Sequence, residues 1–368
     1  MAATFPLLNL SPKLSQQVLG LLPFPELFDL SQCSKRSFNL VKTSFTSVNN
    51  LSVHIGSTSA LSVISRDENG NLRITSWVFY NWRDFEIVDL EDPKPYKIDG
   101  MLLDFCKYPG RHDNLEFGCV SKTSTDEFIK FFEYTLDLLN PIIVKILRIH
   151  PHKSGYLEQL NSIEKLRNIE ILMVDEGRTS HEEMHKILGS NAEHLSLSCK
   201  PRKNFTYDLP IRANSITVYI SSWVTSQMLW NMDCKNARLY ECTLTNEDLN
   251  SFLKHWLEGA NTKLEHMSAS AGPLFGITEP NPNWVAPDWN LLEMVKGIPT
   301  LPGAAKRPGV SRYSGRIGQA RVLYENGVDL KRESDGMLAT VLIMNDRNDI
   351  DTFLFEVWQV PDPNVVVG

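Results

Sequence analysis

The chain has 368 residues, of which 42% are hydrophobic and 22% are charged, with a formal net charge of −7 and a pI near 5.8. This composition is typical of globular chains, and the length leaves room for two or three domains with a sizeable core. The acidic balance disfavours nucleic acid as the main partner, because binding to a phosphate backbone needs basic patches. The sequence contains no run of about 20 apolar residues, so we expect no transmembrane helix and no membrane partner.

The N-terminus has neither the basic start nor the long apolar run of a signal peptide. The six cysteines form no C-x-x-C pair and lie in apolar or strand-like segments, as in proteins of a reduced compartment. We therefore expect an intracellular protein, cytoplasmic or nuclear or both. No motif in the chain calls for a cofactor.

The first forty residues contain an amphipathic helical pattern that prolines interrupt. Its early apolar residues are spaced as one face of a helix and are Leu10, Leu14, Val18, Leu19 and Leu22. A second apolar pattern follows the break at Pro23 and Pro25. Forty residues cannot enclose all these side chains, because small domains bury too little surface. Either the rest of the chain or a partner protein must therefore cover part of this surface.

The spacing in residues 1–48 resembles an F-box, the helical motif that docks on the Skp-type adaptor of a cullin–RING ubiquitin ligase. The matching positions are Leu10, Leu14, Val18-Leu19, Leu22-Pro23, Glu26-Leu27, Leu30-Ser31 and Cys33-Ser34-Lys35-Arg36. Two positions depart from the family pattern, whose proline is Ser11 here, with Pro12 one place late, and whose glutamate is Lys13. The adaptor-binding residues that the resemblance implies are Leu10, Pro12, Leu14, Val18, Leu19, Leu22, Pro23, Leu27, Leu30, Cys33 and Arg36.

Residues 49–124 change from a helical to a strand periodicity. Apolar and polar residues alternate in segments 51–55, 61–63, 72–74, 78–82 and 85–90. Residues 67–71 form a turn-rich segment in which Gly70 can adopt a positive φ, which predicts a hairpin. We expect a small antiparallel sheet that links the N-terminal helices to the rest of the chain.

Residues 125–272 begin with a predicted helix at 125–139 and then contain a spaced repeat of short apolar segments. The segments are centred on Arg148, Leu172, Leu197, Val218, Leu239 and Met267, which lie 24, 25, 21, 21 and 28 residues apart. Helical patterns separate most of them, at 156–166, 180–188, 224–230 and 246–257. One strand plus one helix at this period is typical of leucine-rich repeats.

The predicted fold is therefore α+β or α/β, with an N-terminal helical F-box, a small antiparallel β region and a leucine-rich-repeat-like β/α solenoid with C-terminal strands. An ordinary βαβ sheet with similar connection lengths is the alternative. We predict an irregular insertion at 273–318 and strands at 319–368 that complete the domain.

Residues 244–267 resemble the type 2 F-box-associated domain of the large nematode F-box family. The matching residues are Asp248, Leu249, Asn250, Phe252, Leu253, Trp256, Gly259, Asn261, Leu264 and Glu265. The C-terminal segments 328–332, 335–341 and 355–358 also look like this family. The pattern predicts a helix that is capped by Thr245 or Asn246 and stops at a glycine. The resemblance implies that this part of the chain binds a target protein.

Residues 181–185 form a literal H-E-x-x-H motif. On a helix this spacing places His181 and His185 on one face for zinc, with Glu182 as general base. However, Ser180 or Thr179 is the predicted cap, so His181 falls in the first turn, and no third ligand follows at the known offset. We therefore predict no metal site and no enzyme, and a zinc metallopeptidase remains the alternative.

Other polar residues are interpreted as structural. Asp104, Asp175 and Glu176 are read as solvated residues at strand ends, and His150-Pro-His152 as a surface turn. The sequence thus favours a non-catalytic substrate receptor that binds a Skp-type adaptor, through it a cullin, and an unknown target protein. A scaffold with a vestigial F-box is a further alternative, because Ser11 and Lys13 depart from the family pattern.

Overall fold

The structure is a computed structural model that describes residues 7–44, 48–56, 58–66, 71–81, 93–109, 115–121, 124–139, 144–151, 169–272, 286–301, 327–345 and 351–358. The chain divides into two compact units, residues 1–175 and 176–368. In the part of the chain that the structure describes, none of the helices combines the length and the apolarity needed to cross a membrane. Several predicted features lie outside the described residues: the turn tip at 67–70, the strand at 85–90, the helix at 156–166, His152 and most of the insertion at 273–318.

The first unit begins with helices, as the sequence predicts. They are a 3₁₀ turn at Leu7–Asn9, α1 (Pro12–Leu19), α2 (Phe24–Cys33) and α3 (Lys35–Ser44). Prolines open the first two α-helices, at Pro12 in α1 and at Pro25 in the first turn of α2. Proline is tolerated there because the first backbone N–H groups of a helix have no intrahelical partner.

A mixed sheet and one long helix complete the first unit. The elements are β1 (Val48–Ile55), β2 (Ser59–Arg66), β3 (Leu72–Asn81), β4 (Lys94–Ile98), β5 (Met101–Pro109), β6 (Leu115–Ser121), α4 (Ser124–Leu138), β7 (Val144–Ile149) and β8 (Ile169–Thr179), whose last residues belong to the second unit. The strand order is β8-β7-β1-β2-β3-β6-β5-β4. The pairs β1–β2, β2–β3, β4–β5 and β5–β6 are antiparallel, but β3 and β6 pair in parallel, so residues 49–124 belong to a mixed sheet and not to the small antiparallel sheet that the sequence predicts. β7 and β8 extend the sheet in parallel from β1.

Aromatic side chains of α4 pack on this sheet. Phe128, Phe131 and Phe132 are fully buried. The ring of Phe79 lies 5.4 Å from that of Phe128 and 5.3 Å from that of Phe131, both edge to face. Such pairs add to the stabilisation from burial, so α4 and β3 form the centre of the core of the first unit.

The second unit contains a run of parallel strands followed by antiparallel ones. The elements are α5 (His181–Leu188), β9 (His194–Pro201), β10 (Ser215–Val218), α6 (Ser226–Trp230), β11 (Asn236–Leu239), α7 (Asn246–Leu257), β12 (His266–Ser270), α8 (Leu291–Met294), β13 (Val328–Lys331), β14 (Leu338–Asn345) and β15 (Asp351–Trp358). The strand order is β9-β10-β11-β12-β15-β14-β13. Neighbours from β9 to β12 pair in parallel, whereas the pairs that involve β15, β14 or β13 are antiparallel.

The predicted leucine-rich-repeat-like solenoid is not confirmed. The parallel strands β9 to β12 follow one another in chain order, as a repeat would require. The same sheet continues through three antiparallel strands from the end of the chain, so it is a large mixed sheet rather than an open parallel stack. Periodicity could not separate these architectures, because both alternate short strands with crossover helices. The domain boundaries predicted at 48, 124, 272 and 318 remain predictions.

Candidate protein-docking site

One aromatic side chain fixes α2 on the rest of the first unit. Phe28 has no exposed surface. Its ring lies 5.4 Å from the rings of Trp77 and Tyr96, 5.3 Å from that of Phe131 and 5.5 Å from that of Tyr134. The chain itself therefore covers the inner face of α2, which the sequence alone left open between the chain and a partner.

Polar side chains of α2 reinforce this contact. The hydroxyl of Ser31 lies 2.8 Å from that of Tyr134 on α4. The carboxylate of Asp29 accepts a 2.8 Å hydrogen bond from Tyr96 and pairs with Lys94, both on β4. The N-terminal helices are thus part of the core of the first unit rather than a separately folded bundle.

The start of α1 tolerates the departure from the family pattern. Ser11 has an extended backbone as the N-cap residue, and its side chain makes no capping hydrogen bond. Its carbonyl still accepts the first helical bond, from the amide of Ser15 at 2.9 Å. Pro12 supplies a φ suited to the first helical position. The Ser11-Pro12 sequence therefore begins a helix, although without the side-chain cap that stabilises many helix starts.

The residues predicted to contact the adaptor fall into three classes of exposure. Leu19 and Leu27 are each 2% exposed and belong to the core. The half-exposed members are Leu10, Val18, Leu22 and Leu30, and the exposed ones are Pro12, Leu14, Pro23, Cys33 and Arg36. Arg36 also donates a 2.7 Å hydrogen bond to the carbonyl of Leu8, so it helps to hold the N-terminal turn on α3.

Sequence reasoning missed one residue of this surface. Leu21 is 83% exposed, which makes it the most exposed of the large hydrophobic side chains in the described part of the chain. It lies just after α1, off the helical periodicity that selected the other candidates. Leu21 lies close to Pro23 and belongs to neither of the two apolar helical patterns. This position was the sequence signal by which it could have been found. Leu21 and the 50% exposed Leu14 are the exposed large hydrophobic side chains in the described part of the N-terminal segment 7–44.

In the second unit, the residues of the F-box-associated pattern hold the end of α7 in place. Trp256 is fully buried, and the guanidinium of Arg332 lies 4.5 Å from the centre of its ring. Gly259 has a φ of +98°, which favours glycine. Asn261 has a φ of +50° and donates hydrogen bonds to the carbonyls of Leu229 and Met232 at 3.0 and 2.9 Å. These pattern residues therefore help to determine the local fold.

The residues of the H-E-x-x-H segment have structural roles at the start of α5. Ser180 and Glu183 form a reciprocal capping box at the start of α5, so His181 lies in the first turn, as the sequence predicts. The Nε2 atom of His181 lies 3.3 and 3.2 Å from the carbonyl oxygens of Arg202 and Lys203. Glu182 is exposed and forms an ion pair with Lys186 at 2.9 Å.

His185 likewise packs against aromatic rings. Its ring centre lies 5.3 Å from that of Phe205 and 5.2 Å from that of Tyr207. Among the described residues, the group of three possible metal ligands within mutual reach contains neither His181 nor His185. The geometry gives no support to a zinc peptidase built on these residues.

The interpretation of Asp175 as a solvated residue is wrong. Asp175 is only 9% exposed, and its Oδ2 atom lies 2.7 Å from Nε of Arg148 and 2.8 Å from Nε2 of His150. Asp104 and Glu176 are exposed, in agreement with that interpretation. The partners of Asp175 come from a neighbouring strand, so no local sequence signal could reveal them.

Comparison with known proteins gives two family matches. Residues 7–45 match the F-box domain, and residues 183–269 match the domain described as F-box associated. No solved structure matches this chain.

Three curated relatives come from Caenorhabditis elegans. The uncharacterized protein F59B2.8 is 21% identical over 72% of this chain and 60% of its own length. The Skn-1 dependent zygotic transcript 15 protein is 25% identical over 40% of this chain and 45% of its own length. The E3 ubiquitin-protein ligase hecw-1 is 37% identical over 16% of this chain and 5% of its own length.

The chain thus spans at most about three fifths of the length of these relatives. Both resemblances read from the sequence are confirmed, in the predicted order along the chain. The protein carries an F-box domain near its N-terminus and a type 2 F-box associated domain in its second unit.

Proposed function

We propose that this chain is the substrate-recognition subunit of a cullin–RING ubiquitin ligase of the SCF type. The observation that carries the proposal is the pairing of an F-box with an F-box associated domain in one chain. The F-box would dock on a Skp-type adaptor and, through it, on a cullin. The second unit would hold a target protein for ubiquitin transfer, so the chain would act by binding in an intracellular compartment and not by catalysis.

The exposed surface of the N-terminal helices supports the docking step. Leu14 and Leu21 expose 50% and 83% of their surfaces, and half-exposed Leu10, Val18 and Leu22 lie near them in sequence. Full burial of one leucine is worth roughly 1.5–3 kcal/mol. Several such side chains could support a stable complex after the entropy cost of association is met.

The second unit has a polar sheet face to which a target protein could bind. Phe355 of β15 lies 5.4 Å from Phe252 and 5.3 Å from Trp256, both on α7, so this helix covers one face of the sheet. Side chains alternate between the faces of a strand. The other face therefore carries the half-exposed row formed by Ser196, Thr217 and Arg238, which are directly paired across β9, β10 and β11. A polar face of this kind suits hydrogen bonding to a protein surface.

Co-purification with a Skp-type adaptor tests the docking step. The full chain is co-expressed with the adaptor, as wild type and with Leu14→Asp and Leu21→Asp combined. Both leucines are exposed, so the double variant should stay folded and lose the complex. The exposed Leu292 of α8 provides the matched control, because Leu292→Asp adds the same charge to a 76% exposed leucine outside the F-box.

Three outcomes decide the proposal. A complex that survives Leu292→Asp and is lost in the double variant supports it. A wild-type chain that forms no complex favours the scaffold with a vestigial F-box. A complex that forms with both the control and the double variant shows that the adaptor uses another surface. Leu27 is unsuitable for this test, because it is buried and its replacement by aspartate would unfold the chain.

Target identification follows from proximity labelling by the full chain in cells, with and without proteasome inhibition. A target should be labelled by the chain and accumulate when the proteasome is blocked. The Leu14→Asp, Leu21→Asp variant should still label the target but should not promote its ubiquitination in a reconstituted ligase.

A further inference from the structure

Three strands of the first unit bring two histidines and an aspartate together. β1, β7 and β8 run parallel, and the pairing sets His54 opposite Arg148 and Ile149 opposite Val174. His150 follows the end of β7, and Asp175 follows Val174 on β8. The side chains of His54, His150 and Asp175 therefore meet near the carboxyl ends of β1 and β7.

The potential ligand atoms of these three side chains all lie within 4.8 Å of one another. Nε2 of His150 is 2.8 Å from Oδ2 of Asp175, and the two imidazole rings have centres 5.1 Å apart. Asp175 is 9% exposed, so its carboxylate is largely withdrawn from water. Two imidazoles and a carboxylate at this separation form a donor set that zinc and related metals use in proteins.

The ring of His54 gives a second indication that a ligand binds here. Its Nε2 atom is buried and has no hydrogen-bond partner among the described residues. A buried polar atom without a partner is unfavourable, so such atoms usually face a water, an ion or a functional partner.

A glycine leaves room for the second imidazole. A Cβ atom at residue 56 would lie 2.7 Å from Cδ2 of His150, closer than real side chains approach. The amide of His150 also donates a 2.8 Å hydrogen bond to the carbonyl of Ile55. The backbone of β1 and Gly56 thus sets the position of the His150 ring.

We infer that His54, His150 and Asp175 form a binding site for a divalent transition-metal ion, with Zn²⁺ as the first candidate. The ion would take the place of the proton between His150 and Asp175 and would give Nε2 of His54 a partner. Three protein ligands leave a fourth position for water. Bound there, the ion would tie together three neighbouring strands of the first unit.

The positive charge of Arg148 opposes binding of the ion. Its Nε atom lies 2.7 Å from Oδ2 of Asp175, so its positive charge opposes a divalent cation. The side chain of Arg148 is 49% exposed, and water therefore screens much of this repulsion.

Zinc titration of the full-length protein tests the inference. The chain is first stripped of metal with a chelator and then titrated with Zn²⁺ against a chromophoric indicator. We expect one site per chain. His54→Ala and Asp175→Asn should each weaken it at least roughly 100-fold, since even the loss of a partner outside the ligand set costs 10–100-fold. His185→Ala is the matched control and should leave the affinity unchanged.

Two further variants separate a metal site from a simple ion-pair cluster. Arg148→Gln should keep or tighten Zn²⁺ binding, because it removes a competing charge. Gly56→Ala should weaken binding while keeping all three ligands, because the added methyl group displaces the ring of His150. Circular dichroism of each metal-free variant establishes that it is folded. Zn²⁺ should also raise the Tm of the wild type and not that of His54→Ala.

The inference is overturned if the wild type binds no stoichiometric Zn²⁺ and its Tm does not respond to the metal. It is also overturned if binding is lost in His185→Ala and retained in His54→Ala, because the H-E-x-x-H segment would then hold the ion. The site is independent of adaptor docking, so the co-purification test can fail without affecting it.

Discussion

The hydroxyl of Tyr96 on β4 donates a 2.8 Å hydrogen bond to Oδ1 of Asp29 on α2. Burial raises the pKa of Tyr96, and the hydrogen bond to Asp29 adds to the rise, so the tyrosine remains a donor at physiological pH. Hydrogen bonds to a carboxylate are stronger than those between neutral groups. This bond therefore anchors the F-box helices to the sheet of the first unit.

Asp29 and Tyr96 should contribute to the free energy of unfolding as a coupled pair. We expect Asp29→Asn and Tyr96→Phe each to lower the free energy of unfolding by roughly 1.5–3 kcal/mol, the usual range for a hydrogen bond to a charged group. The double variant should lose clearly less than the sum, because the second change removes a bond that is already broken. Urea denaturation of the four proteins measures the coupling. Strictly additive losses would show that the two residues do not interact.

Phe28 should be a large contributor to the stability of the whole first unit. Phe28→Ala removes a fully buried ring from a cluster with five other aromatic residues, and core changes of this kind cost roughly 3–5 kcal/mol. Leu21→Ala, on the exposed surface of the same domain, should change stability by no more than about 0.5 kcal/mol. Chemical denaturation of the full chain compares them. Equal stabilities would contradict the packing of α2 on the sheet.

The rate at which Cys33 is labelled should show whether an adaptor covers the predicted docking surface. It is exposed, whereas Cys106, Cys119, Cys199, Cys234 and Cys242 are buried, so one thiol per native chain should react quickly with a maleimide. A bound Skp-type adaptor should slow this reaction, because Cys33 belongs to the predicted contact surface. Mass spectrometry after short exposure identifies the modified residue. Fast labelling of Cys33 in a purified adaptor complex would place the contact elsewhere.

Two variants of Asn261 should separate the effect of backbone strain on stability from the effect of hydrogen bonding. Its φ of +50° is unfavourable for most residues, and its side-chain amide bonds the carbonyls of Leu229 and Met232. Asn261→Gly loses the hydrogen bonds but accepts the backbone conformation, whereas Asn261→Ala loses the bonds and keeps the strain. We expect alanine to be the more destabilising change by roughly 1 kcal/mol. Thermal unfolding of both variants gives the order, and a glycine variant less stable than the alanine one would refute the explanation.

Stability should fall at alkaline pH because of buried thiols. Burial raises the pKa of Cys119, Cys199 and Cys234 to about 12 and that of Cys242 to about 11, from an ordinary value of 9.0. Above pH 9.0 the unfolded chain releases these protons while the folded chain keeps them. The stabilisation from neutral thiols is therefore complete below that pH and is lost as the pH rises toward the folded values.

Urea denaturation as a function of pH measures this effect. The free energy of unfolding should decline between about pH 9 and about pH 11, and Cys234→Ala should make the slope shallower by roughly 1 kcal/mol per pH unit. Cys33→Ala gives the matched control, because it removes an exposed cysteine and leaves the buried ones in place. Identical slopes in all three proteins would rule out a contribution from Cys234.

Local signals in the sequence were sufficient for single elements. The helix predicted at 246–257 agrees with α7, because Thr245 and Asp248 form a capping box at its start and Gly259 follows its end. The first two strands were likewise readable, since one face of each is buried and apolar residues therefore alternate with polar ones. The two family resemblances rest on the same kind of short-range pattern.

Contacts between distant segments were not readable from the sequence. The burial of Phe28 depends on Trp77, Tyr96, Phe131 and Tyr134, which other strands and helices supply. The same is true of the mixed sheet in the second unit, whose antiparallel strands come from the end of the chain. Sequence spacing records which side of an element is apolar, but not which element covers it.

The sequence by itself thus determined the helical start, the strand–helix alternation and the family signatures, because each depends on residues close together in the chain. Only the tertiary structure decided which leucines of the F-box remain exposed, since that depends on what the sheet covers. It also decided that His54, His150 and Asp175 meet, because parallel pairing of β1, β7 and β8 aligns positions far apart in sequence.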